Sequence, residues 1–111
     1  MASPVTYSQI IRQILIEHTR IPYAHGDIEF QSVFDDENQH YLLMLVGRDG
    51  TRRVHGCLIH LDIINDKIWI QRDGTEDGVA DDLLDAGIQK NQIVLGFQPP
   101  DIRPYTEFAA A

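Results

Sequence analysis

The chain has 111 residues, 43% of them hydrophobic, enough for one domain spanning residues 1–111 that buries about two-thirds of its unfolded surface and too apolar for bulk disorder. Its single cysteine, Cys57, excludes an internal disulfide and a cysteine-rich structural zinc site. A formal net charge of −8, from nine basic against seventeen acidic residues, argues against direct nucleic-acid binding, which needs Lys and Arg to displace counterions from phosphates.

Only Arg48, Arg52 and Arg53 cluster as a basic patch, and they are the candidate nucleic-acid contact if there is one. The sequence shows no secretory apolar core and no apolar run near about 18 residues, so a cytoplasmic protein without membrane contact is expected. In chain order, Ser3-Pro4 reads as N-cap and first helical residue. Tyr7, Ile10, Ile11, Ile14, Leu15 and His18 then fall on one helical face. The helix should stop near Thr19, because the residue before Pro22 avoids the α region. His18 reads as a helix-end residue favoured by the dipole. Tyr23 to Gly26 reads as a connection. Ile28, Phe30, Ser32 and Phe34 alternate with Glu29, Gln31 and Val33 and predict a strand, followed by a solvated acidic turn at Asp35–Asn38.

From Tyr41 to Arg72 the chain reads as three apolar strands separated by tight turns at Asp49-Gly50 and Asn65-Asp66, an antiparallel meander. Centring the first turn on Asp49-Gly50 places Met44 opposite His55, and centring the second on Asn65-Asp66 places Asp62 opposite Trp69. One face then collects Leu42, Met44, Val46, His55, Cys57, Ile59, Leu61, Ile63, Ile68 and Ile70. The other collects Tyr41, Leu43, Leu45, Val54, Leu58, His60, Asp62, Trp69 and Gln71, joined by Ile28 and Phe30. The first face reads as core. The second mixes aromatic and polar groups as interfaces do, so Tyr41, Leu58, His60, Asp62, Trp69 and Gln71 form a candidate partner interface.

Thr75 is expected to cap a second helix carrying Glu76 and Asp77 in its first turn, with Gly87 as its stop. Ile93–Phe97 reads as a short last strand, and Pro99, Pro100 and Pro104 predict an extended tail strapped across the domain. The fold class is therefore α+β: a helix, a four-stranded antiparallel meander, a second helix, a short strand and a Pro-containing tail.

For chemistry, His60 and Asp62 share a strand face with Gln71 across from them, a set that could orient a general base or hold a metal. The simpler reading is a polar patch on a partly exposed sheet, and no residue is assigned as catalytic or as a metal ligand. Cys57 reads as a buried, inert thiol. Arg53 either marks the sheet rim or pairs with an aspartate of the second helix. Asp73, Glu76, Asp77, Asp81, Asp82 and Asp85 make an acidic surface, solvated or used to dock a basic partner. No phosphate loop, zinc motif, dinucleotide fingerprint or nucleophile elbow is present.

The runs GRDGTRRVHGCLIHLDI, DKIWIQRDGTEDGVADDLL and GIQKNQIVLGF, with the opening YSQIIRQIL and FDDENQHYLLMLVG, resemble the XisI family of fdxN element excision controlling factors. The resemblance runs from about Tyr7 to Phe108, and the IWIQ-DGTE signature at Ile68–Glu76 is its most specific part. It implies a small α+β protein controlling programmed excision of a DNA element, beside a site-specific recombinase and a companion, XisH, that resembles nuclease-fold proteins. It implies no catalytic residues and no cofactor. The expected function is accordingly a non-enzymatic adaptor touching an XisH-like partner, with a homodimer through the second sheet face as another use of that surface. The alternatives are a small hydrolase or metal-dependent enzyme using His60, Asp62 and Gln71, and a weak DNA-binding accessory factor.

Overall fold

A computed structural model describes residues 4–21 and 26–111, with backbone only for Pro4 and Val5. Helix α1, Pro4–Thr19, forms where apolar positions recur every three or four residues, and Tyr7, Ile11, Ile14 and Leu15 are buried. It begins on Pro4 and ends at Thr19, whose hydroxyl donates to the Ile16 carbonyl at 2.6 Å. The Ser3 cap and the Tyr23–His25 part of the connection lie outside the described residues.

Strands β1 (Asp27–Asp35), β2 (His40–Asp49), β3 (Arg52–Ile64) and β4 (Lys67–Asp73) form the expected meander. Helix α2 (Val79–Asp85) then carries the chain to β5 (Ile93–Leu95), which pairs parallel with β4. Parallel neighbours need such a crossover. The sheet order is β1-β2-β3-β4-β5. No helix among the described residues is long and apolar enough to cross a membrane.

The face assignment differs from the expectation. The first turn centres on Gly50-Thr51, with Gly50 at φ +64°, so Asp49 faces Arg52 and Val46, rather than Met44, faces His55. A bulge then inserts Leu58 opposite the Leu43/Met44 step, so that Met44 pairs with Cys57 but Leu43 with Ile59. One extra residue exchanges the faces of everything beyond it. Tyr41 and Leu43 therefore join Ile59, Leu61, Ile63, Ile68 and Ile70 beneath both helices, against Tyr7, Ile11, Leu15, Val79 and Leu83. Leu42, Met44 and Val46, expected inside, are half-buried on the opposite face. Cys57 goes with Met44 to that face. It is half-buried, and burial raises the pKa of its thiol.

Helix α2 also starts later than expected. Thr75 does not cap it; the Asp73 carboxylate does, accepting the Val79 N–H at 2.7 Å and the Thr75 N–H at 3.0 Å. Gly78, at φ +89°, keeps Glu76 and Asp77 out of the helix, whose first turn carries Asp81 and Asp82 instead. Gly87 is the left-handed stop at φ +96°. Replacing Asp73 with Ala should cost about 1–2 kcal/mol by losing this cap, seen as a lower urea midpoint, while Thr75→Ala should cost less.

The tail is a strap with one 3-10 turn at Arg103–Tyr105, where Pro104 is accommodated near the start because its missing N–H has no partner to lose. The Arg103 guanidinium lies 4.9 Å from the Trp69 ring centroid and donates to the Gly96 and Gln98 carbonyls. Ala109 bridges to Val94, which is fully buried.

Candidate functional site on the open sheet face

Both helices lie on one face of the sheet. Among the described residues, the other face is covered by the tail only around Trp69 and Val94, and it stays open over β1, β2 and the adjoining side of β3. Register places Gln31, Val33, Leu42, Met44 and Val46 on this open face, with Val33 opposite Leu42 and Gln31 opposite Met44. Val33 is 48% exposed; Leu42, Met44 and Val46 are half-buried without a helix above them.

Next to these apolar rungs stands a polar cluster. Register places His40 of β2 directly opposite Asp62 of β3, and His60 two residues before Asp62 on the same face. His40 Nδ1 and His60 Nε2 lie 2.7 and 2.8 Å from Asp62 Oδ1, and Gln71 Nε2 donates to Oδ2 at 3.2 Å. An ionised carboxylate only accepts, so both imidazoles present N–H to it. Gln71 lies on this face by alternation from Trp69, and it is the extra residue of a second bulge opposite the His60/Leu61 step. Asp62 is the buried charge, 6% exposed, whereas the His40 and His60 side chains are 50% and 31% exposed. The hydrogen bond from Asp62, and then its charge, raise the pKa of His40.

The expected partner interface thus divides into three. Tyr41 is fully buried, its hydroxyl donating to Asp36 at 2.8 Å, and Leu58 packs against the core. Trp69 is capped by Arg103 within the chain. His60, Asp62 and Gln71 do converge, and His40 completes them. His40 carries no signal of its own in the sequence, where it borders the acidic turn, and only the bulged register sets it opposite Asp62. That turn is exposed, as expected, at Asp36, Glu37 and Asn38. Asp36 pairs with Arg12 of α1, and Asp35 accepts from Asn38, which lowers its pKa.

The acidic surface is smaller than the sequence suggested. Asp73 is turned inward as the α2 cap, and Asp82 lies 2.8 Å from His18 Nε2, tying α2 to α1. Glu76, Asp77, Asp81 and Asp85 remain exposed. Arg48, Arg52 and Arg53 are exposed at the tip of the β2–β3 hairpin. Arg48 stands opposite Arg53 and beside Asp27 of β1, and Arg52 lies 3.6 Å from Asp49, so the patch carries its own counter-charges. Arg53 marks the rim.

These features define a small α+β protein with a mixed five-stranded sheet, helices on one face and a partly open second face. The chain belongs to the XisI family: the family described as XisI protein matches residues 1–110. It is similar to the crystal structure of a XisI-like protein from Anabaena variabilis ATCC 29413, with 35% identity and a TM-score of 0.90 over 97% of this chain and 99% of that one. The fdxN element excision controlling factor XisI from the same organism is similar at 33% identity and a TM-score of 0.82, over 97% and 98% of the two chains. No curated protein matches.

Proposed function

We propose that this chain is a non-enzymatic adaptor of the excision-controlling kind, assisting site-specific recombination of a DNA element by contacting an XisH-like companion protein. The observation that carries this reading is the open sheet face, where Val33, Leu42, Met44 and Val46 lack a helix above them and are flanked by Glu29, Gln31 and His40. Apolar rungs rimmed by polar side chains mark interaction surfaces on small proteins. The negative net charge of −8 suits a protein partner better than a phosphate backbone.

The test is co-expression with the companion, followed by size-exclusion chromatography and thermal melting. Co-elution is expected, and Val33→Glu with Met44→Glu should weaken the complex at least about tenfold by burying charges without partners. Separate elution with no shift in either melting curve would overturn the reading. A wild-type homodimer that the same substitutions split would assign the face to a second copy of the chain instead.

A further inference from the structure

We propose that His40, His60 and Asp62 form a binding site for one divalent transition metal of the zinc class, with a coordination position left open to solvent. The donor atoms of the three side chains lie within 4.8 Å of one another on one sheet face. Two imidazole nitrogens and a carboxylate oxygen suit zinc and its first-row neighbours better than magnesium or calcium, which favour all-oxygen sets. Three protein ligands complete three corners of a tetrahedron and leave the fourth for water or an incoming donor.

The present N···O separations of 2.7 and 2.8 Å are those of hydrogen bonds. Ligands about 2.0–2.1 Å from a tetrahedral zinc are instead roughly 3.3 Å apart, so the rings must retreat by about half an ångström. The part-exposed imidazoles have room to do this, while Asp62 is held in place by burial and by Gln71. On loading, a neutral ring exchanges the proton that points at Asp62 for one on its other nitrogen through solvent, a doubly protonated ring releases that proton to solvent, and the freed lone pair takes the metal. Gln71 stays on the second carboxylate oxygen as a positioning residue, the role that outer partners of metal-bound carboxylates play.

The site stands apart from the adaptor reading, and the two fail separately, because complex formation with the companion can be scored in a chelator. The experiment uses the full chain, free of any tag and stripped of metal, titrated with zinc chloride by calorimetry and with cobalt(II) by visible absorption. Saturable uptake of one equivalent is expected, with the absorption of a tetrahedral cobalt site. His40→Ala should weaken zinc binding at least about a hundredfold, and Gln71→Ala about ten- to a hundredfold, as outer-partner substitutions do. Because the His40 side chain is half exposed, its variant should keep the wild-type circular dichroism, which separates lost ligation from lost folding. The absence of saturable one-to-one uptake would overturn the site. So would uptake unchanged in a His40→Ala, His60→Ala variant, which would place the metal elsewhere, for example at His18 or His55.

Discussion

Leu43→Ala is expected to destabilise the protein by about 2–5 kcal/mol, the range for deleting a fully buried leucine side chain, whereas its neighbour Leu42→Ala should cost only about 1 kcal/mol. Urea unfolding checks both, with the midpoint moving and the slope unchanged if the native state survives. The contrast follows from the Leu58 bulge. Leu43 is fully buried beneath the helices and Leu42 is half-buried on the open face. An uninterrupted alternation through the β2–β3 hairpin would reverse the order of the two costs, so equal or inverted midpoints would remove the bulge from the account. Tyr41 belongs to the same test. It is fully buried, its ring centroid is 6.2 Å from that of Phe34, and its hydroxyl is satisfied by Asp36.

That contrast also shows what the sequence made legible. Local signals were enough for α1, whose apolar spacing and Pro4 start match the helix, and for the turn at Asn65-Asp66. There both central residues take positive φ, 52° and 62°, as a type I′ hairpin demands. They were enough for Gly87 as the α2 stop and for the α+β class. They failed wherever a distant group decides the local geometry. The Leu58 bulge is held by the Gly74 N–H on the Leu58 carbonyl at 2.8 Å, a bond between positions sixteen apart that periodicity does not register. Asp73 caps α2 from six residues ahead, beyond the spacing of a capping box. Trp69 looked like an interface residue because nothing in its own strand reveals the arginine of the tail. The candidate site was half legible: His60, Asp62 and Gln71 follow from alternation and the second turn, but His40 needs the bulged register.

The two bulges are therefore what connect fold to site. The first sends Tyr41 and Leu43 inward, leaving Leu42 and Met44 on the open face. The second leaves Gln71 unpaired beside Asp62, to which its amide donates. Both lie beside His60, so the open face acquires an apolar half on β1–β2 and a polar half on β3–β4 from the same local departures from regular pairing. Bulges gather next to functional sites because they re-aim single side chains without breaking the sheet.

Gly47→Ala should separate these two halves. A Cβ at Gly47 would stand 2.0 Å from the Asp27 carbonyl oxygen and 2.8 Å from the Ile28 Cα, both backbone atoms of β1. No rotamer relieves a clash with backbone, so β1 must lift away from β2 at that end, and a cost of about 3 kcal/mol or more is expected, at or above the top of the usual overpacking range. Hydrogen exchange should show the loss as faster exchange of the amides of Asp27 to Phe30, with β3–β4 amides slowed as before relative to global unfolding. His40 pairs with Asp35 at the opposite end of the β1–β2 ladder and with Asp62 of β3, so zinc uptake should persist. Binding of the proposed companion should fall, because Glu29, on the open face opposite Val46, moves with that end of β1. A Gly47→Ala protein with wild-type stability would contradict the pairing of Gly47 with Ile28. Loss of zinc together with the companion would instead show that the two halves of the face open as one unit.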